Sequence, residues 1–389
     1  MLGAPGADPV AMRIDQRHRL QALPFALAAA LAIACLLLAA PGIAAAKGER
    51  KSGGELLPPK GKIFAGVSDT GQGSDYREYR DATGAHPAVM QSFESWGNFP
   101  GEALRRWRET RTRGMLSLST SRCWGCEPEI STGSIAKGKG DRYILKLAKG
   151  LAKRKRPTYI RLFPEMNGHW NGYSAFGGAG HPRGSQHSTK NFIRAWKRFT
   201  LIVRGGKRKA VDKKLRKLGM PKIKAKTKRS LPKPKVAIAW VPQSTGSPDV
   251  PGNAPADYFP GNAYLDWVGA DIYGKYPNFG GLDALYRKYA KKKPFMIGEW
   301  APWGADDPQF VSTLAKWIAK HKRARMAVYY QGFGEGAANP FEVGDYPRST
   351  EVLRRTLEGK RFAPYAAEER KSGSKGNGKR GKSTRGGRR

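Results

Sequence analysis

The run Tyr159-Ile-Arg-Leu-Phe-Pro-Glu-Met-Asn-Gly-His-Trp170 carries an alternating, strand-like segment up to a carboxylate. Period-two alternation predicts Tyr159, Arg161, Phe163 and Glu165 on one face, so a guanidinium and a carboxylate would point together into whatever the strand lines. A second run, Pro294-Phe-Met-Ile-Gly-Glu-Trp300, brings Glu299 to another strand end. Two carboxylates so placed could cleave a glycosidic bond, one protonating the leaving oxygen while the other meets the anomeric carbon. Arg161 could hydrogen-bond Glu299 and hold it charged, with Tyr273 as a second donor. Asn167 is placed to reach a sugar hydroxyl or Glu165. Trp170, Trp240 and Trp300 are candidates for stacking on sugar rings, although Trp240 could equally belong to a core. His, Cys and carboxylates nowhere recur at metal-ligand spacing, so neither a metal nor a cofactor is expected.

The elements that must position these groups alternate along the chain. Strand-like runs fall at 63–67, 88–93, 115–118, 158–163, 236–240, 267–273, 295–299 and 326–330. Helical periodicity appears near 101–111, 139–153, 189–204, 282–291, 307–321 and 350–358. Such alternation predicts an α/β fold, a (β/α)8 TIM barrel, with a doubly wound open sheet as the rival. No Gly-x-Gly-x-x-Gly turn follows the first strand, so a dinucleotide site has no support. In a barrel the chemistry gathers where strands end, and there lie Glu165, Asp271, Tyr273 and Glu299.

At 389 residues the chain has room for a single catalytic domain, expected over 62–362 after a linker at 47–61. Arginines followed by the apolar run 22–46 and Ala44-Ala45-Ala46 read as a signal peptide over 1–46, or as an anchor if uncleaved, and imply a secreted or cell-surface protein. Outside the leader only Cys123 and Cys126 remain, and a local disulfide suits an exported chain. Two inert thiols or a redox pair are the alternatives, the latter lacking the helix that should follow.

The net charge of +40 is concentrated in two places. Residues 204–235 hold Asp212 as their single acid, and 371–389 hold none. Segments this basic are expected to lack a core, and the tail, 363–389, to be disordered. They should adhere to anionic wall polymers or membrane surfaces. No nucleic-acid fold signature accompanies the charge, so specific nucleic-acid binding is not expected. The insertion follows a helix and precedes a strand, which puts it at the barrel end opposite the catalytic groups.

Over roughly 60–360 the motifs together resemble glycoside hydrolase family 26. Arg161-Leu-Phe-Pro-Glu-Met-Asn-Gly-His-Trp170 looks like that family's fourth-strand signature, and Lys293-Pro-Phe-Met-Ile-Gly-Glu299 like its seventh. Ala239-Trp-Val-Pro-Gln243 and Leu265-Asp-Trp-Val-Gly-Ala-Asp-Ile-Tyr-Gly274 follow its fifth and sixth strands. The resemblance implies a retaining (β/α)8 glycosidase, endo-β-mannanase-like, with Glu165 as general acid/base, Glu299 as nucleophile and a polysaccharide as substrate. Pro164 departs from the pattern, because many family mannanases have His there. That leaves β-glucanase or xylanase specificity open, and a non-hydrolytic wall-binding protein is the alternative from another class.

Overall fold

The computed structural model describes residues 56–69, 75–123, 125–332 and 339–366. The expected leader with its cleavage site, and the tail from 367, lie outside the described residues. Eight parallel strands form the centre: β1 (Ile63–Asp69), β2 (Val89–Ser95), β3 (Arg113–Ser119), β4 (Thr158–Leu162), β5 (Val236–Trp240), β6 (Trp267–Tyr273), β7 (Phe295–Ala301) and β8 (Ala324–Tyr329). Each pairs with the next, and β8 pairs back onto β1 from Phe64↔Met326 to Val67↔Tyr329. The sheet therefore closes into the expected barrel, and closure excludes the open-sheet rival. Around it lie α1 (Asp75–Thr83), α2 (Gly101–Glu109), α3 (Thr132–Ala136), α4 (Asp141–Arg154), α5 (Thr189–Arg204), α6 (Arg208–Lys217), α7 (Phe279–Tyr289), α8 (Pro308–Lys320) and α9 (Pro347–Glu358). None of the described helices is long and apolar enough to cross a membrane.

Strand parity sorts the side chains into two cores. Outward residues such as Leu116, Ile160, Ile238, Val268 and Ile297 join the helices in the main cluster. Inward residues Phe64, Met115, Tyr159, Trp267 and Met296 fill the barrel floor. Arg113 is buried there, its Nη1 donating to the Tyr159 hydroxyl at 2.8 Å while its guanidinium lies 5.1 Å from the Phe64 ring centroid. Tyr159 in turn donates to the Leu56 carbonyl. The floor would leave apolar surface in water, and flanking residues cover it. Leu56, assigned from sequence to a linker, and Ala363 and Ala366, assigned to the tail, are buried in this cluster. Phe362–Ala363 also pairs in parallel with Ile63 and Phe64. The folded unit thus extends beyond the expected 62–362 at both ends.

The basic insertion also departs from expectation, because it contributes buried residues to the main core. On α6, Val211 and Leu215 turn inward, joined by Met220, Ile223 and Leu231. Gly206–Lys207 pairs antiparallel with Ser230–Leu231. Gly205 permits the close crossing: at φ 66°, a Cβ there would meet the Pro232 carbonyl oxygen at 1.7 Å. A buried bidentate pair anchors the segment, Arg198 donating to Asp141 at 2.7 Å through Nε and Nη2. Arg198 Nη1 reaches the Pro221 carbonyl at 2.8 Å, and Asp141 accepts the Lys224 amide at 2.8 Å. The few apolar positions fall on one helix face, so a high proportion of lysine does not prevent folding.

Candidate active site

Strand β4 ends at Leu162, one residue short of the expected run. Phe163 (φ 45°) and Glu165 (φ 50°) both take the left-handed backbone region. For residues other than glycine this costs about 1–2 kcal/mol each and is characteristic of functional sites. The first reversal turns Phe163 away from the barrel, correcting its expected place beside Arg161, and seats its ring 5.3 Å from that of Tyr173 and 5.9 Å from Phe192. The second reversal brings the Glu165 carboxylate over the barrel mouth, where its Oε2 accepts the Trp170 indole N–H at 2.9 Å. Its Oε1 accepts from the Gln243 side-chain amide.

Strand β7 reaches the same place by a bulge. Ile297 pairs with Ala327 and Trp300 with Tyr329, so β7 spends one more residue than β8 over the same stretch, and the mismatch recurs against β6. The extra residue lets Gly298 and Glu299 both face inward, which strict alternation forbids. Glu299 is only 6% exposed and is fully engaged: Oε1 accepts from Arg161 Nη1 and from Gln91 Nε2 at 2.9 Å, and Oε2 from the Tyr273 hydroxyl at 2.9 Å. Three donors, one of them cationic, fix the position of the carboxylate. Arg161 also donates to Asp271. Burial opposes its charge, but Asp271 and Glu299 outweigh this and raise its pKa.

The two glutamates have different environments. Burial raises the Glu165 pKa above 4.5, the charge of Glu299 adds to the rise, and Arg161 opposes it. Burial, then Glu299, holds the Tyr273 phenol well above its usual range, so it remains a donor. Asp271 is raised by burial against the pull of Arg161. Glu165, Asp271 and Glu299 each bring one oxygen within 4.8 Å of the others. Such a cluster could grip a divalent cation, but the Arg161 guanidinium already bridges Asp271 and Glu299 and supplies the counter-charge.

Arg161, Glu165, Trp170, Tyr273 and Glu299 are thus gathered at one mouth. Three other expectations are corrected. Trp240 lies on the outward parity of β5 and is fully buried, 5.1 Å from the Phe259 ring and 4.8 Å from Tyr289. Trp300 points outward because Glu299 points inward, and packs 5.0 Å from Tyr329. Asn167 is buried and spent on backbone, donating to the Gln243 and Thr245 carbonyls at 3.1 and 2.9 Å while accepting the Gln243 amide at 2.9 Å. It joins the loops after β4 and β5 instead of bonding Glu165.

Sequence reasoning missed Gln91 and Gln243. Gln91 was detectable as an amide on the inward parity of β2, between Val89 and Phe93. Also missed was an aromatic wall beside Tyr273, with Trp303 at 5.1 Å, Tyr330 at 6.1 Å and Phe341 at 5.9 Å. Tyr276 and Phe93 extend it into solvent, at 64% and 39% exposure. The expected Cys123–Cys126 disulfide is present, and its loop braces the site, the Gly125 amide donating to the Trp170 carbonyl at 3.2 Å.

No protein-family model matches the chain, and no curated protein does. Solved structures do. GH26A from Muricauda sp. superposes with a TM-score of 0.50 at 19% identity, over 78% of this chain and 91% of that one. The Bacillus subtilis mannanase man26 gives 0.51 at 16%, over 80% and 89%, and the B. subtilis mannanase BCman 0.51 at 14%, over 78% and 87%. The chain therefore has a fold like that of glycoside hydrolase family 26.

Proposed function

We propose that the chain is an exported retaining β-glycoside hydrolase acting on a plant or microbial polysaccharide, most like an endo-β-1,4-mannanase. The observation that carries this reading is the close approach of two carboxylates in different hydrogen-bond settings: Glu165 and Glu299 lie with oxygens within 4.8 Å. Retaining glycosidases hold their carboxyl groups about 5–5.5 Å apart, whereas inverting ones leave about 6.5–9.5 Å for a water. Glu165, raised in pKa, begins protonated and gives its proton to the leaving oxygen. The Glu299 carboxylate, positioned by Arg161, Gln91 and Tyr273, attacks the anomeric carbon as that bond breaks. Glu165, now a carboxylate, takes a proton from the water that releases the glycosyl group from Glu299. Trp170 orients Glu165, and the exposed faces of Tyr276 and Phe93 suit sugar rings.

Pro164 stands where many family mannanases have His, which favours mixed-linkage glucan or xylan as the second reading of specificity. The exposed lysines of the insertion, among them Lys209, Lys213, Lys217, Lys224 and Lys228, support adhesion of 204–235 to anionic wall polymers or membrane surfaces, with 371–389 adding charge. The test is reducing-sugar release from β-mannan, mixed-linkage β-glucan and xylan, with Glu165→Ala and Glu299→Ala alongside. Activity abolished in both variants is expected. No release from any of the three glycans, or full activity in Glu299→Ala, would sink the reading.

A further inference from the structure

Away from the catalytic mouth, a cleft of about 540 Å³ opens between α1 and α2. Its size falls in the range of small-molecule sites, about 300–1,000 Å³. Five guanidiniums line it: Arg77 and Arg80 from α1, Arg105 and Arg106 from α2, and Arg111 from the turn into β3. The turns that enter β2 and β3 form one end, so it lies towards the barrel floor. Three of the five are already matched by acids. Arg80 pairs with Asp81 at 2.7 Å, Arg105 with Glu102 and with Glu109 at 2.9 Å, and Arg106 with Glu102 at 3.3 Å. Arg77 and Arg111 have no carboxylate partner among the described residues, so the cleft keeps two uncompensated positive charges.

Two further features mark it as more than a solvated basic face. Arg111 has φ 54°, a left-handed conformation that glycine adopts without strain. The chain keeps a cation at that position despite the strain. The aromatic rim is also fixed in place. His86 sets its two ring nitrogens 3.0 Å from the Thr110 carbonyl and 3.1 Å from the Pro364 carbonyl, one of which receives its N–H, lies 4.1 Å from the Tyr365 ring, and meets Tyr76 edge-on at 5.7 Å. The Tyr365 face is covered by His86, and Arg80 lies over Tyr76 at 5.9 Å. The forked guanidiniums match the oxygens of a carboxylate or phosphate, and the Tyr76 and Tyr365 rings beside them supply hydroxyls and apolar edges for the ring of a sugar that carries the anion.

We infer that this cleft is a second carbohydrate site, which takes an anionic sugar unit of an acidic polysaccharide through Arg77 and Arg111. The anion could be a uronate carboxylate or a sugar phosphate, and both offer the oxygens that guanidinium forks bind. The site needs no participation from the catalytic carboxylates. It would hold an acidic chain at one end of the barrel while the mouth works at the other.

The test is calorimetric titration of the full chain, at about 0.15 M salt to screen loose surface attraction, with tetragalacturonate, with glucose 6-phosphate and with neutral mannotetraose. Binding of either anion with none of the neutral sugar is expected, and the anion that binds names the source. The double variant Arg77→Gln with Arg111→Gly should weaken it at least about tenfold, the order lost with a charge-assisted bond. Arg111→Gly alone suits the left-handed backbone and should lower affinity severalfold without lowering Tm, which separates lost binding from lost folding. Lys213→Gln with Lys217→Gln should bind normally, because the insertion is a different surface. Glu165→Ala should also bind normally, so failed hydrolysis and failure of this site are read apart. Equal binding of the neutral sugar, no binding of either anion, unchanged affinity in the arginine variants, or loss in the lysine variant would overturn the inference.

Discussion

Gly298 tests the geometry of the catalytic mouth most sharply. It sits in the bulge of β7, immediately before Glu299, and its backbone is not left-handed, so alanine meets no conformational penalty there. The obstacle is space. A Cβ would lie 2.7 Å from Asp271 Oδ1, 2.9 Å from Val241 Cγ1 and 3.2 Å from Arg161 Nε, against ordinary contact from 3.4 Å. The worst overlap is thus about 0.7 Å, and the atoms that must give way belong to the buried Arg161–Asp271 pair rather than to a loose surface side chain. Overpacking of this kind costs about 1–3 kcal/mol. Arg161 also holds Glu299, so a shift of several tenths of an ångström would pass to the attacking carboxylate, where about 1 Å of misplacement can cost about 100-fold in rate. Gly298→Ala should therefore lower Tm and reduce kcat about 10- to 100-fold, with KM changing little because the aromatic rim is untouched. Thermal melting and steady-state hydrolysis of a soluble glycan measure both. A variant with the wild-type Tm and kcat would refute the close packing of Arg161 and Asp271 behind the nucleophile.

Three other outcomes follow from the same structure. Glu165 must be protonated to act first, so kcat/KM should fall as pH rises through its elevated pKa. In Glu299→Gln, NMR titration should show that pKa lowered, because one of the causes that raise it is removed; an unchanged or higher value would contradict the arrangement. Asp306 caps α9 from a neighbouring loop, accepting the Arg348 and Ser349 amides at 3.0 and 2.8 Å, and although its slight burial works the other way these bonds lower its pKa to about 2. Because the folded pKa lies below the unfolded one, its stabilisation is present above about pH 4 and lost as pH falls through 2. Asp306→Asn should accordingly cost about 1 kcal/mol at pH 7 and progressively less in acid, and a pH-independent difference in melting would rule out the charged cap. Gly280 is exposed in the first turn of α7, and a Cβ there meets nothing nearer than Asn278 Oδ1 at 3.8 Å. Gly280→Ala should stabilise by about 0.5–1 kcal/mol; a lower denaturation midpoint would count against that open environment.

The barrel and its two glutamates were legible because local signals agreed with the global arrangement. The strand runs were apolar and bounded, and Glu165 and Glu299 each closed one. Parity was legible in part. Trp240 lies between the small inward residues Ala239 and Val241, and a barrel interior that narrows to alanine leaves a large indole on the outside. Trp300 follows Glu299 directly, so the two could not share a face. The bulge at Gly298 left no mark in composition, and neither did the left-handed turns at Phe163 and Glu165, because such features are fixed by contacts with other strands. Asn167 was misread for the same reason, its partners lying 76 and 78 residues away. The insertion shows a different limit. Charge density masked a helix whose apolar face needed only Val211 and Leu215 to dock.

The two flanks of the described fold close the barrel floor together. Leu56 and Ala366, where the described fold starts and stops, share one buried cluster, and the Ile63 amide donates to the Arg361 carbonyl at 2.7 Å. The described fold therefore begins and ends at the base, while Glu165 and Glu299 open at the rim, so the residues that seal the apolar floor and those that do the chemistry occupy opposite ends of the barrel.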